Sequence, residues 1–233
     1  MRTVAVVLAG GAGQRFGGET PKQLHVLAGR TLLEHSVAAF EQAPGVDEIL
    51  VVMAAGFTGQ TRDILDAGGY GKITDVIEGG RARPDSTRRA IAAVGATVSE
   101  CNVLLHDAAR PLLDQRIIAD CLRALDADQA VGVAVPASDT IVEVSNSVMR
   151  GMPRRETLQR CQTPQGFRLS VIRTAYELAD ADPGFAAFAA TDDCGIVLRY
   201  LPGVPIRVVP GSERNIKITY PGDLDVAAVL LRS

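Results

Sequence analysis

The chain has 233 residues, 47% of them hydrophobic and 22% charged, with 24 Lys and Arg against 27 Asp and Glu for a formal charge of −3. That is enough chain to bury a sizeable α/β core in one domain. The slightly acidic balance argues against a basic nucleic-acid surface, so any nucleotide it binds is expected to be small and held in a pocket. Cys101, Cys121, Cys161 and Cys194 are too far apart for a metal-knuckle pair and read as free thiols of a reducing cytosol. With no apolar run of transmembrane length and a strand pattern at the N-terminus, the chain is expected to be soluble and cytoplasmic.

Strand and helix signals alternate along the chain. "VAVVL" (Val4 to Leu8) is a solidly apolar run, as in a buried parallel strand. "TLLEHSVAAFEQA" carries Leu32, Leu33, Val37 and Phe40 at helical spacing, and "EILVVMA" (Glu48 to Ala54) is a second buried strand. "TRDILDAGGYG" reads as a helix closed by glycines. After the strand and turn "DVIEGG", "DSTRRAIAAVG" reads as a helix with Asp85 or Ser86 as N-cap and Gly95 as its stop. "NVLLHDAARP" is a fourth strand with a polar end. "QRIIADCLRAL" puts Ile117, Ile118, Cys121, Leu122 and Leu125 on one helix face, and "QAVGVAVP" is a fifth strand. This order predicts a doubly wound, mainly parallel sheet with helices on both faces, a Rossmann-like α/β domain. Residues 138–167 break the rhythm with period-2 strands around "SN". They predict a β-hairpin arm leaving the sheet, with a second subunit as the simplest thing for it to pack on. One domain over residues 1–233 plus this arm is expected.

The chemistry-bearing stretches lie between these elements. "LAGGAGQRFGGETPKQ" follows the first strand but lacks the third glycine of a dinucleotide fingerprint, which is Phe16 here, and also the Lys-Ser/Thr of a Walker loop. Its small residues allow backbone N–H groups to cradle a triphosphate. Arg15 and Lys22 suit charge growing on phosphate oxygens, although a tight turn with solvated cations fits the same residues. In "LLHDAARP", Asp107 sits where open α/β sheets put ligands and can help hold Mg²⁺; alternatively it caps a turn and pairs with Arg110. His106 reads as a satisfied structural histidine. Gly79 and Gly80 permit close approach of a base or ribose, with Arg83 and Ser86 just beyond, and Ser86 is equally well explained as a helix cap. Lys217 lies in a strand-like run ahead of a Pro-Gly turn, placed to complete a phosphate clamp or simply exposed.

Taken in order, "LAGGAGQRFGGETPKQ", "EGGRARPDS", "HDAARP", "DTIVEV", "QTPQGF", "TDD" and "NIKITYPGDL" resemble the sugar-alcohol-phosphate cytidylyltransferases. That family includes the 2-C-methyl-D-erythritol 4-phosphate enzymes of non-mevalonate isoprenoid synthesis and the ribitol-5-phosphate enzymes of wall teichoic acid synthesis. The resemblance covers nearly the whole chain and implies direct, in-line attack of a polyol phosphate on the α-phosphorus of CTP, with Mg²⁺ as cofactor and a homodimer formed through the arm. It implies that Arg15, Lys22 and Lys217 stabilise the α-phosphate in transfer. The nucleotide would be held by Leu8, Ala9, Gly10, Gly11, Ala12 and Gly13 of the loop, with Gly80, Arg83, Ser86, Asp107 and Ala108, Asp107 lying near the metal. The acceptor would meet Arg110, Thr191 and Thr219 of one subunit, and Thr140 and Arg155 reaching across from the partner's arm. The erythritol acceptor is placed first as the more widespread activity, with the ribitol acceptor as the alternative, because Leu8-Ala9-Gly10-Gly11 departs from the Pro-Ala-Ala-Gly more frequent in erythritol-type members. "SDTIVEV" and "TDDCG" also lean to the ribitol side. A nicotinamide dehydrogenase is disfavoured by Phe16. A non-catalytic nucleotide-binding regulator is disfavoured by the presence of Arg15, Lys22 and Lys217.

Overall fold

The structure is a computed structural model that describes residues 1–11, 16, 20–185 and 191–232. Its central element is a seven-stranded sheet in the order β11-β7-β10-β6-β1-β4-β5. The strands are β1 (Thr3–Ala9), β4 (Glu48–Met53), β5 (Ile73–Glu78), β6 (Asn102–Asp107), β7 (Ala130–Pro136), β10 (Gln159–Arg168) and β11 (Ile206–Pro210). β10 alone runs antiparallel, to both β6 and β7. Short β2 (Val26–Leu27) and β3 (Arg30–Thr31) pair beside the sheet, and β8 (Glu143–Ser145) with β9 (Val148–Gly151) forms a separate hairpin.

β1 is buried along its whole length because both of its faces are covered. Ala5, Val7 and Ala9 pack with Phe40, Met53, Leu104 and Ile118 on one face, while Val4, Val6 and Leu8 pack with Ile91, Phe167, Ile172 and Val197 on the other. That is why its sequence is an unbroken apolar run and not an alternating one. The first face receives α1 (Leu32–Glu41), α2 (Thr58–Gly68) and α4 (Gln115–Ala127); the second receives α3 (Arg83–Thr97), α5 (Leu169–Ala181) and α6 (Asp193–Tyr200). α7 (Asp223–Arg232) packs on β2. α1 starts at Thr31, whose side chain accepts from Glu34 N while Glu34 accepts from Thr31 N, a reciprocal cap. α2 ends at Gly69 in the left-handed region, φ 68°, as its paired glycines predict.

Three elements differ from the sequence reading. α3 begins at Arg83, not after Asp85 or Ser86, and it runs through Gly95 to Thr97. Pro84 suits a first turn, and the Asp85 carboxylate accepts from Ala82 N at 3.1 Å, so Asp85 caps from inside the helix. Residues 159–167, assigned to the arm from sequence, form β10 in the middle of the main sheet; the free hairpin is only β8–β9. Polar Gln159, Gln162 and Gln165 hide that strand, and its register shifts between Gln162 and Gln165 beside the cis Thr163–Pro164 peptide. The hairpin itself turns at Asn146 and Ser147, both at positive φ, as a two-residue primed turn requires. Finally, Lys217 is not in a strand. It lies in an irregular segment held to the turn after β6 by Ile218 N donating to Ala109 O at 2.8 Å.

Candidate active site

The carboxyl ends of β1 and β6 lie side by side, with Leu8 in register with Asp107. β4 follows β1 on one side and β6 adjoins it on the other, so the chain reverses direction of winding here, the place where open α/β sheets form a ligand crevice. Two cavities open at this point. The first, of about 150 Å³, is lined by Leu8, Gly10 and Gly11 of the loop, by Lys22 and Gln23, by residues 81–83 and Ser86, and by Asp107, Ala109 and Lys217. The second, of about 190 Å³, lies between Arg110, residues 161–163, Gln165, Thr191 and Asp192. Arg83, Asp107 and Lys217 line both cavities and form the wall between them.

Close backbone approach shapes the first cavity. A Cβ on Gly10 would fall 2.6 Å from Ser86 Oγ, and one on Gly79 would lie 3.1 Å from Gly10 Cα. A Cβ on Gly80 would meet Asp85 Cβ at 2.1 Å. Ser86 is buried one turn inside α3, where its hydroxyl accepts from Gly80 N at 3.1 Å. It therefore fastens the Gly79–Gly80 turn to the helix and does not cap the helix. Gln23, which the sequence did not single out, is also buried and donates to Gly11 O at 3.1 Å, fixing the other side of the loop. Gly80→Ala is expected to cost about 1–3 kcal/mol, because the collision is with the first turn of α3 and not with a flexible side-chain tip. Thermal unfolding of the variant checks this.

The shared wall is an ionic chain. Lys217 Nζ lies 2.6 Å from Asp107 Oδ2, and Arg83 Nε lies 3.2 Å from Asp107 Oδ1. On its far side, Arg83 Nη1 lies 2.6 Å from Asp193 Oδ2. Burial by itself would raise the Asp107 carboxyl, but the Arg83 and Lys217 charges outweigh it and hold the group well below the usual carboxylate range. Asp107 is thus ionised at neutral pH and its charge is compensated from both sides. Lys22 Nζ donates to Ile218 O at 2.7 Å, which places this second lysine beside Lys217. Arg83 Nη2 is buried without a hydrogen-bond partner among the described residues.

Arg110 does not pair with Asp107. Its guanidinium donates to Asn215 O at 2.8 Å and Cys161 O at 3.3 Å, while its backbone N–H closes a turn onto Asp107 O. It lines the second cavity as a positioned cation, as does the exposed Thr191 beside it as a hydroxyl donor. Ala108 is fully buried, with N–H donated to Leu8 O; Ala109 is the residue that faces the first cavity. Ala9 is likewise buried, in the core beneath the loop. Gly80 lines an adjoining cavity with Gly10, Ala54 and Phe57. Thr219 lines neither main cavity; its N–H donates to Asp223 at the start of α7. Thr140 and Arg155 are exposed in and beside the hairpin arm and line neither cavity of their own chain. Arg15, Ala12 and Gly13 lie outside the described residues. Thr163 and Gln165 also line the second cavity, and Asp193 pairs with Arg83 and accepts from Tyr176 OH behind the wall; none of the four was singled out, and only the quoted "QTPQGF" and "TDD" signalled Thr163, Gln165 and Asp193.

His106 is structural, as the sequence suggests, and its neutrality is built in. Arg110 O can only accept, so the proton sits on Nε2, 3.1 Å from it. Nδ1 then accepts from Thr163 Oγ1 at 3.0 Å, and Thr163 Oγ1 in turn accepts from Asp107 N at 3.1 Å. A second proton on the ring would reverse that order. Burial pushes the His106 pKa down from 6.5 to about 4. Since the unfolded chain binds this proton at higher pH than the folded one, stability is complete above about pH 6.5 and falls as pH drops towards 4. The expected loss is about 3 kcal/mol over that window. Denaturant unfolding at both pH values, with His106→Gln flattening the slope, checks it.

Among the described residues no three His, Cys, Asp or Glu side chains cluster as a metal cage, and no helix is long and apolar enough to cross a membrane. All four cysteines are free.

Residues 3–233 match the family described as 2-C-methyl-D-erythritol 4-phosphate cytidylyltransferase. A relative of that name from Thermobifida fusca is 52% identical over 237 residues, covering all of this chain and 94% of the relative. A bifunctional ribulose 5-phosphate reductase/CDP-ribitol pyrophosphorylase from Haemophilus influenzae is 39% identical over 234 residues, and this chain spans 48% of its length. Among solved structures, the 4-diphosphocytidyl-2C-methyl-D-erythritol synthase of Anaerococcus prevotii superimposes with a TM-score of 0.85 at 26% identity, over 100% of this chain and 96% of that one. A glycine-lined cavity at the β1–β6 switch point, a cationic wall shared with a second cavity and a full-length match agree: the chain belongs to the 2-C-methyl-D-erythritol 4-phosphate cytidylyltransferase family.

Proposed function

We propose that this enzyme transfers CMP from CTP to 2-C-methyl-D-erythritol 4-phosphate and releases pyrophosphate. The observation that carries the reading is the Arg83–Asp107–Lys217 wall. It gives two ligand cavities one common set of charges, as a reaction between two bound phosphates needs. The acceptor phosphate is already an anionic nucleophile, so the protein's task is to align two anions and offset their repulsion. Loop backbone and Lys22 would hold the triphosphate in the first cavity; Arg110 and Thr191 would hold the acceptor in the second; Lys217 would sit at the transferring phosphorus. The acceptor follows the 52% identical relative. The ribitol acceptor is supported more weakly, by a relative that is 39% identical and twice the length.

Mg²⁺ fits this donor set as a phosphate-borne ion. Mg²⁺ usually keeps several waters and takes one or two carboxylates plus substrate phosphates. Among the described residues Asp107 is the one carboxylate that lines both cavities, and its Oδ1 has only the looser 3.2 Å contact with Arg83. Bound there, the metal would withdraw charge from the phosphates. We also propose a homodimer through the arm, where Ile141, Val144, Val148, Met149 and Met152 are exposed together. Thr140 and Arg155 would thereby reach the partner's acceptor. A cytoplasmic location suits four free thiols. Phosphorus NMR of CTP, Mg²⁺ and the erythritol phosphate with enzyme should show a new pyrophosphate-linked product. Unchanged CTP would refute the reading, and a monomer by analytical ultracentrifugation would refute the dimer.

A further inference from the structure

Asp193 is the first residue of α6 and is completely buried. Acidic residues at such positions normally face water, and a fully buried one needs partners. Helix capping does not explain it. The free N–H groups of Asp193 and Cys194 both donate to Gln165 Oε1, at 3.0 and 3.1 Å, and Asp192 accepts from Gly195 N at 2.8 Å. The start of α6 is therefore satisfied without the Asp193 carboxylate. That carboxylate points the other way. Its Oδ2 lies 2.6 Å from Arg83 Nη1, and its Oδ1 accepts from Tyr176 OH at 2.7 Å. Tyr176 is itself buried on α5, with its ring beneath the Arg88 guanidinium, 5.2 Å from it.

Arg83 is thus suspended between two carboxylates. One, Asp107, belongs to the shared wall; the other touches neither cavity. We propose that Asp193 and Tyr176 are positioning residues for the transfer reaction. Asp193 fixes the Arg83 guanidinium at the wall between the two cavities, and Tyr176 fixes Asp193. Without the Asp193 charge the guanidinium is drawn onto Asp107, closing the 3.2 Å contact and shifting the cation along the wall that both cavities share. A shift of this kind, though small, is costly in a reaction that depends on alignment.

The test, resting on the reading of Arg83 as a nucleotide ligand, is a double-mutant cycle on kcat/KM for CTP, with thermal unfolding of each variant. Asp193→Asn is expected to lower kcat/KM by about 10²-fold, and Tyr176→Phe, which removes one hydroxyl, by about tenfold. In an Arg83→Ala background each is expected to cost less than about threefold, because there is no guanidinium left to misplace. Losses that multiply undiminished in that background would make the pair merely structural and overturn the proposal. If Asp193→Asn does not fold, the Tyr176→Phe cycle decides alone. Arg83→Ala at wild-type kcat/KM would instead refute the nucleotide-ligand reading itself, and the proposal with it.

Discussion

Lys217→Ala is expected to lower kcat for CMP transfer by about 10²–10³-fold, the usual cost of removing one donor aimed at charge that grows in a transition state. The lysine reaches the shared wall from the far end of the chain, at 2.6 Å from Asp107. It arrives on an irregular segment held by Ile218 N donating to Ala109 O, by the Lys22–Ile218 contact and by Asn215, which bonds Arg110 and Thr163. Its side chain remains 41% exposed, so its ion pair contributes at most about 1 kcal/mol to folding. The variant should therefore unfold at nearly the wild-type temperature while turning over far more slowly, a separation that steady-state kinetics beside a melting curve shows directly. A kcat within twofold of wild type would remove Lys217 from the reaction.

Asp107→Ala is expected to fail on both counts. Its carboxylate is the common counter-charge of Arg83 and Lys217. Removing it leaves the largely buried guanidinium with Asp193 as its one ion-pair partner among the described residues and sets two cations against each other. Breaking a buried pair in this way costs about 3 kcal/mol, the low end of the usual range because Lys217 reaches solvent. For a chain of this length that corresponds to a fall of roughly 6–12 °C in Tm, together with loss of activity. The pH dependence carries the sign. The folded Asp107 pKa is depressed, so its contribution is complete above the unfolded value near 4 and fades as pH falls below it. The gap between wild type and variant should narrow in that acidic window and stay constant above it.

The parts legible in the sequence are those in which one local pattern has one physical cause. β1, β4 and β6 are buried on both faces and read as apolar runs; α2 ends on the glycine that its left-handed residue demands. β10 was obscured because it is an antiparallel strand carrying Gln162, Thr163 and Pro164 into the centre of a parallel sheet, with polar side chains that bond Asn215 and His106 across distant segments. The site divides the same way. The glycine loop and Asp107 announce themselves by lying at strand ends. Arg83's second carboxylate does not, because Asp193 is 110 residues away along the chain, and its partner Tyr176 looks like any aromatic on an apolar helix face. Lys217 lies in a strand-like run in the sequence, yet of the flanking Ile216 and Ile218 only Ile218 is fully buried and no strand forms there.

The most direct measurement is pyrophosphate release with CTP and Mg²⁺, run in parallel with 2-C-methyl-D-erythritol 4-phosphate and with ribitol 5-phosphate as acceptor. Release that needs both CTP and the erythritol phosphate, with a much higher kcat/KM for it than for ribitol 5-phosphate, is the expected result. Release with ribitol 5-phosphate alone, or with neither acceptor, would contradict the assignment.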